Sequence, residues 1–316
     1  MKKYLTNKWV VISVAIFCSV LWGSAFPVLK IGYTEMKMHP DDTSAKVVFA
    51  GMRFLLAGLL LLAFLAITNR KALKITKKQL PILMLFGFVQ TALQYYFFYN
   101  GLARTSGMQA AILISSGTFF TVLLAHFFYV NDRMNWQKII GLCAGFIGVI
   151  VANWGTSFQF HFQLTGEGFM IIAALTGAVG TIMAKEMALG IHPFALTGYQ
   201  LTIGSLMMLV YGLPQLDQGA IVFNSLGTVL FVYSAVLSAV AFALWYSLLK
   251  YNKAGELSIY KFATPVSGAI LSVFMIPGES FSVFIAVALV FVSIGFVAIN
   301  YKPKQSLGLT KKNKHA

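Results

Sequence analysis

Charge is what this chain has least of. Only 10% of its 316 residues are Asp, Glu, Lys or Arg, while 58% are hydrophobic and the mean hydropathy is +0.78. A soluble domain carries roughly 25% charged residues, so the composition excludes a water-soluble globule, which would leave much of this apolar surface facing solvent. Acidic residues are scarcer still, nine against 24 basic ones, for a formal net charge of +15. Such an excess is commonly read as nucleic-acid binding. Here the basic residues stand in short clusters between apolar runs, which is a membrane pattern and leaves no nucleic-acid partner to expect. The two cysteines, Cys18 and Cys143, lie inside apolar runs and build neither a disulfide framework nor a metal-binding spacing. No GxxxxGK[ST] loop is present, so ATP is not expected as a direct energy source. No HExxH motif occurs, and His39, His126, His161, His192 and His315 are scattered. No nucleophile–base pair or metal cluster is visible, which argues against a membrane enzyme, and no metal or cofactor is expected.

What the chain has in abundance is long apolar runs. A helix crossing a bilayer needs about 20 mostly apolar residues. Ten runs qualify, near 10–30, 45–68, 80–102, 107–130, 136–154, 167–187, 193–213, 225–249, 255–276 and 280–300. The gaps are too short for a separate soluble domain. Lys2, Lys3 and Lys8 before the first run suit a signal peptide, but nine further runs follow, and the first reads as a retained helix. Positive loops stay on the cytoplasmic side. With ten spans the two termini share a side. That side collects Lys2, Lys3, Lys8, the Arg70–Lys78 cluster, Arg133, Lys138, Lys185, Lys250, Lys253 and the basic residues after 301, most of the 24. Both termini are therefore expected in the cytoplasm, with the protein in the cell (cytoplasmic) membrane.

The chain also compares with itself. Ser106-Gly107 to Arg133 aligns with Ala254-Gly255 to Phe281, 148 residues later, and Leu21–Ala25 parallels Leu175–Val179. Five spans per half is an odd number, so the second half enters the membrane upside down. Inverted repeats of this kind are a transporter architecture, with the substrate site near the midplane where the halves meet. The expected organisation is a first five-helix repeat over 1–157, a second over 158–302 and a basic tail over 303–316.

Leu21-Trp22-Gly23-Ser24-Ala25-Phe26-Pro27 leading to Lys30, Gly51-Met52-Arg53-Phe54-Leu55 and the closing Pro277-Gly278-Glu279, set on ten spans, resemble the EamA family of the drug/metabolite transporter superfamily. The resemblance covers about residues 9–301. It implies export or exchange of small metabolites such as amino acids, without ATP. Two positions depart from the family pattern: Gly117 stands where Pro is usual, and Asn131 where Glu is usual.

Polar residues inside a span are costly and generally face the bundle interior or a cavity. In the third run Gly87, Gln90, Gln94 and Gly101 share one α-helical face, and the two amides lie roughly 15–20 Å from the cytoplasmic edge. They can line a pathway or bond helices together. In the ninth run Ser258, Lys261, Pro265, Gly268 and Ser272 form a polar or small stripe. Lys261 points inward as a contact for a substrate carboxylate, or snorkels to the cytosol on its four-carbon stem. Arg53 holds a helix terminus or attracts an anion. Trp22, Tyr95 and Trp245 can form a cage for the apolar part of a ligand, or simply pack the core. Gly23 with Pro27, Gly177 with Gly180, and Gly117 opposite Pro265 sit at matching places in the halves and point to hinges or interrupted helices beside the site. Gly141, Gly145 and Gly148 argue for close packing within the chain or between two copies of it, which would make a homodimer. His126 is the one span residue able to titrate near neutral pH, a candidate proton site or an interfacial residue.

The sequence thus predicts an all-α integral membrane protein of ten transmembrane helices in two inverted repeats. The expected function is alternating-access transport of a small polar metabolite, amino acids or related zwitterions first. Efflux of lipophilic or quaternary cations is the alternative, and a channel or membrane-embedded enzyme the more distant one.

Overall fold

The computed structural model describes residues 2–39, 41–105, 107–152, 154, 162–278 and 280–301. His161, Glu279, His315, the 157/158 boundary and the 303–316 tail lie outside the described residues. Among those described there are helices and turns and no strand. Among the described residues nine helices are long and apolar enough to cross a membrane. We number the long helices α1 (Lys8–Glu35), α2 (Thr43–Thr68), α3 (Leu80–Leu102), α4 (Ala110–Phe128), α5 (Trp136–Ala152), α6 (Leu164–Gly190), α7 (Pro193–Gln215), α8 (Ser225–Leu249), α9 (Ala254–Met275) and α10 (Val283–Asn300). Of these, α5 is the short one: its 17 residues reach about 26 Å, a little less than the hydrocarbon thickness. The chain is a multi-pass membrane protein.

Local chemistry sets the starts of these helices. The Asn7 side chain accepts from the Trp9 and Val10 amides, Asp42 from Ala45 at 2.8 Å, and Asn224 from Gly227 at 2.6 Å. Each satisfies amides that the first turn leaves open. Pro193 opens α7, where its missing N–H costs nothing. The Lys8 ammonium donates to the Asn300 carbonyl at 3.0 Å, so the start of α1 and the end of α10 lie on one face, here the terminal face.

Packing follows a pattern. α1 lies against α8 and α9, α6 lies against α3 and α4, α2 pairs with α7, and α5 pairs with α10. Hydrocarbon provides no hydrophobic drive between helices, so small residues that let backbones touch do the joining. A Cβ on Gly58 would sit 2.9 Å from the Gly198 carbonyl of α7. The Gly141, Gly145 and Gly148 stripe of α5 meets Ile259 and Phe262 of α9 and Ala288, Val292 and Gly295 of α10. That stripe is consumed inside the chain.

Among the described residues three helices are irregular in mid-span, while α6 only opens on a π-helical turn at Leu164–Gly168, and the irregular ones are not all those expected. α3 contains a π-helical turn at Phe88–Leu93. It turns Gly87 against Ile203 and Gly204 of α7, while Gln90, Gln94 and Gly101 meet α6, so the single face read from α-helical spacing is split. α4 breaks at Ser116, between Gly107–Ser115 and Gly117–Phe128. α9 tightens into a 3₁₀ turn at Ile259–Phe262, before Pro265. Pro265 itself falls in the first turn of the following helix, Ala263–Met275, where no intrahelical bond needs its nitrogen. By contrast α1 runs unbroken through Gly23 and Pro27, and α6 through Gly177 and Gly180. Interruption at those two pairs is corrected: the glycines are points of contact with neighbouring helices.

The terminal face is tied by polar groups. Lys138, which the charge pattern reads as one more loop cation, is fully buried. It pairs with Asp132 at 2.5 Å, and Asp132 Oδ2 also accepts from the Gly255 amide at 2.8 Å. The start of α9 is thereby fastened to the α4–α5 connection. Lys185 of α6 donates to the Leu249 and Asn252 carbonyls at the end of α8, at 3.0 and 2.6 Å. The Tyr129 hydroxyl donates to Glu186 at 2.7 Å, and burial together with that carboxylate pushes its pKa up, keeping it a donor.

The α5–α9 contact is the tightest to test. A Cβ on Gly145 would overlap the Phe262 ring, whereas one on Gly190 would meet nothing closer than 3.6 Å. Gly145→Ala should therefore lower stability by about 1–3 kcal/mol, while Gly190→Ala should leave it unchanged or raise it. Unfolding in detergent, followed by helix signal against denaturant, checks the difference.

Candidate functional site

One helical turn organises the centre of the bundle. Residues Gly177 to Thr181 of α6 are met by side chains from two other helices. A Cβ on Gly180 would fall on the Gln90 amide, and one on Gly177 would stand 2.7 Å from Gln94 Nε2. The two amides of α3 are themselves joined, Gln90 Nε2 donating to Gln94 Oε1 at 2.8 Å. On the same turn Thr181 Oγ1 accepts from the Lys261 ammonium at 3.4 Å, while its own hydroxyl donates back to the Gly177 carbonyl.

Lys261 leaves the 3₁₀ turn of α9 and extends inward between aromatic rings. Its Nζ lies 5.0 Å from the Trp245 ring centroid and 5.8 Å from that of Trp22, within cation–π range of both. The two indoles meet edge to face at 5.3 Å, with Phe242 of α8 against Trp22 at 5.4 Å. Gly23 makes this possible. The Cβ it lacks would stand 2.8 Å from the Thr264 carbonyl and the Gly268 nitrogen, so α1 and α9 approach to backbone contact one residue from Trp22. Among the described residues no carboxylate pairs with Lys261.

Several buried polar atoms here have no partner: Trp245 Nε1, Gln90 Oε1, Ser258 Oγ and Thr264 Oγ1. Buried polar groups are normally hydrogen-bonded, and orphans call for an account. The Trp245 N–H, the Gln90 carbonyl and an ammonium without a carboxylate partner, tied together through the Gly177–Thr181 turn and the indole contact, make an arrangement able to hold a small polar solute that carries a negative group.

Of the residues singled out from sequence, Trp22, Trp245, Lys261, Gln90 and Gln94 are brought together, from α1, α8, α9 and α3, with Gly23 and Gly177 as their contact points. Tyr95 is not with them. Its ring lies 4.6 Å from Phe54 and 6.1 Å from Tyr99, in a second cluster around Arg53. His126 is also elsewhere: its Nδ1 accepts from the Met134 amide at 3.0 Å, closing the α4–α5 turn. Gly117 approaches the Ala174 carbonyl of α6, at 3.0 Å from its missing Cβ. Sequence reasoning missed Thr181, and it missed a buried polar chain beside the site. In that chain Gln200 of α7 donates to Thr91 of α3, and the Tyr246 hydroxyl of α8 donates to Gln200 Oε1 at 3.1 Å. A glutamine inside an apolar span was the available signal. A cavity of about 450 Å³ also opens at the terminal face, lined by Lys8, Gln137, Lys253, Glu256, Tyr260 and Asn300 among others, and Lys261 does not face it.

Comparison with known proteins concerns the chain as a whole. The sequence profile described as the EamA-like transporter family matches residues 9–154 and 164–301. The uncharacterized transporter YvbV of Bacillus subtilis is 26% identical over 94% of this chain and 94% of its own length. An uncharacterized transporter of Archaeoglobus fulgidus is 23% identical over 82% of this chain and 87% of its own. A protein of Salmonella typhimurium named "Probable amino-acid metabolite efflux pump" is 26% identical over 55% of this chain and 52% of its own. One solved crystal structure superposes with a TM-score of 0.77 at 15% identity, over 92% of this chain and 96% of the other, a likeness of fold.

The α3–α6 contact supplies a test of the site's packing. Gly180→Ala should displace the Gln90 amide and lower stability by about 1–3 kcal/mol, as overpacking does. Adding Gln90→Ala should recover most of that loss. A double-mutant cycle on the unfolding midpoint reads both numbers; independent, additive losses would mean that the two residues do not meet.

Proposed function

The chain belongs to the EamA-like transporter family, and on that premise we propose that it is a secondary carrier exporting or exchanging small polar metabolites, amino acids and related zwitterions first. The observation that carries this reading is the unpaired Lys261 ammonium between Trp22 and Trp245, among buried polar atoms without partners. Lys261 meets the substrate carboxylate by a charge-assisted hydrogen bond, Gln90 and Gln94 meet its polar groups, and the indoles meet its apolar part. The efflux pump named for amino-acid metabolites in Salmonella supports the same substrate class.

The mechanism is alternating access by two inverted five-helix halves, with α5 as the tenth span. The packing supports it: α1 on α8 and α9 has its counterpart in α6 on α3 and α4, as exchange of the halves requires. The start of α1 and the end of α10 share the terminal face, the side to which the charge pattern of the sequence assigns most of the basic residues. That supports a cytoplasmic terminal face in the cell membrane. The breaks in α4 and α9 supply the bending that rocking needs, while Gly23 and Gly177 act as contact points and Pro265 opens the outer part of α9. Tyr95 takes part through the neighbouring Arg53 cluster rather than in the cage. A second copy of the chain, if it pairs, uses a face other than the α5 glycine stripe.

A carrier for quaternary or lipophilic cations is the second reading, and the paired indoles favour it. Lys261 already occupies their π faces and would repel such a ligand.

Counterflow into proteoliposomes loaded with pooled amino acids, nucleobases and quaternary amines tests the proposal. A carboxylate-bearing solute should exchange in the wild type, and Lys261→Met should slow it by about tenfold or more at limiting concentration, the worth of one charged hydrogen bond. Binding of that solute should also change tryptophan emission in the wild type, and Trp22→Phe should diminish the change. Equal exchange by wild type and Lys261→Met would remove Lys261 from the site. Preferential exchange of quaternary amines would establish the second reading instead.

A further inference from the structure

Arg53, like Lys261, is a buried cation with no carboxylate partner among the described residues, and its surroundings differ from those of a structural arginine. It lies in the first half of α2, is 4% exposed, and its guanidinium sits over the Phe54 ring at 4.4 Å. Its electrostatic neighbours are the hydroxyls of Tyr33, at the end of α1, and of Tyr95 and Tyr99, on α3. Arg53 Nε and the buried hydroxyls of Tyr33 and Tyr99 make no hydrogen bond of normal geometry.

The chemistry of this cluster is one-sided. A guanidinium only donates, and a phenol can donate its proton. Arg53 Nε and the hydroxyls of Tyr33 and Tyr99 thus lie within electrostatic reach of one another, each without a hydrogen-bond partner of normal geometry, and the phenols are free to turn their protons toward an anion. Leaving a charged donor unsatisfied at membrane depth is costly. A buried arginine that merely holds a fold is hydrogen-bonded to carbonyls or paired with a carboxylate, as Lys138 is with Asp132. What fits a guanidinium flanked by phenol hydroxyls is an anion small enough to accept from all three.

We propose that Arg53, Tyr33 and Tyr99 form an anion site separate from the Lys261 site, taking one carboxylate group or a small inorganic anion. The two sites are neighbours. Tyr95 packs on Phe54 at 4.6 Å and lies within electrostatic reach of Tyr246, the residue after Trp245. Arg53 stands toward the end of the bundle opposite the terminal face, where Tyr33 and Tyr99 close α1 and α3. If the anion is the transported solute, which rests on the carrier reading above, a carboxylate meets two cations in succession on its way across. If it is inorganic, the site stands without that reading.

Purified full-length protein in detergent, in a zwitterionic buffer without added carboxylate or halide, followed by its thermal unfolding midpoint, provides the test. The probes are bromide, as an inorganic anion, and glycine and glutamate, as carboxylates. At least one should raise the wild-type midpoint in a saturable way. Tyr33→Phe with Tyr99→Phe keeps the packing and removes two donors; it should weaken that probe about tenfold or more, and Arg53→Lys should weaken it further than Lys261→Met does. A response to bromide alone identifies an inorganic-anion site, and a response to the amino acids alone identifies the substrate carboxylate; both support the proposal. No saturable response in the wild type would overturn it. So would a response lost in Lys261→Met and kept in the double phenylalanine variant, which would put the anion at Lys261 and leave the carrier reading standing.

Discussion

Backbone contact at glycine is the constraint on which this interior depends. Two helices in hydrocarbon gain nothing from burying apolar side chains against each other, so their association rests on close packing and on polar contacts. Gly23 brings α1 onto α9, which sets Trp22 beside Lys261. Gly177 and Gly180 make room on α6 for the amides of Gln94 and Gln90. Gly145 admits the Phe262 ring, on the residue after Lys261, and so fixes the opposite side of the same turn. A methyl group at Gly23, Gly177 or Gly180 would meet a polar side chain, and one at Gly145 the ring beside Lys261.

The interior treats its charges in two ways. Lys138 is saturated: its ammonium donates to the Asp132 carboxylate, the Asp132 carbonyl and the Arg133 carbonyl, and the carboxylate has a further donor in Gly255. Such a group is finished and can only hold structure. Lys261 and Arg53 have aromatic neighbours and no carboxylate, and buried polar atoms near each are unsatisfied. In a medium of low dielectric that difference is large, because an unpaired charge there interacts strongly with whatever opposite charge comes within reach. The contrast between a closed pair and two open cations separates structural charge from charge available to a ligand.

Irregular turns account for where those cations point. The 3₁₀ turn Ile259–Phe262 tightens α9 at Lys261, and the π turn Phe88–Leu93 widens α3 at Gln90. Each redirects side chains that a uniform 3.6-residue period would place differently. The sequence reading put Gly87, Gln90 and Gln94 on one face and missed this. Periodicity reports only the average rise and turn of a helix. Pro27 misled in the other direction. A proline marks where an intrahelical bond is absent, yet α1 continues through Pro27, whereas α9 is interrupted just ahead of Pro265, which sits in the first turn of the helix that follows.

The sequence by itself determined that this chain lives in a membrane, where its helices lie to within a few residues, and that it resembles the EamA-like transporters. Those properties follow from composition, run length and short motifs, all of which are local along the chain. It also named Lys261, Trp22, Trp245, Gln90 and Gln94, because a polar or indole-bearing residue in an apolar run is conspicuous wherever the run folds. Only the tertiary structure decided that Thr181 completes their setting, that Tyr95 belongs with Arg53, and that the Lys138 charge is cancelled by Asp132. Each of these depends on which helices touch. Helix contacts in a bilayer are chosen by the fit of small residues across sequence separations that no local pattern records.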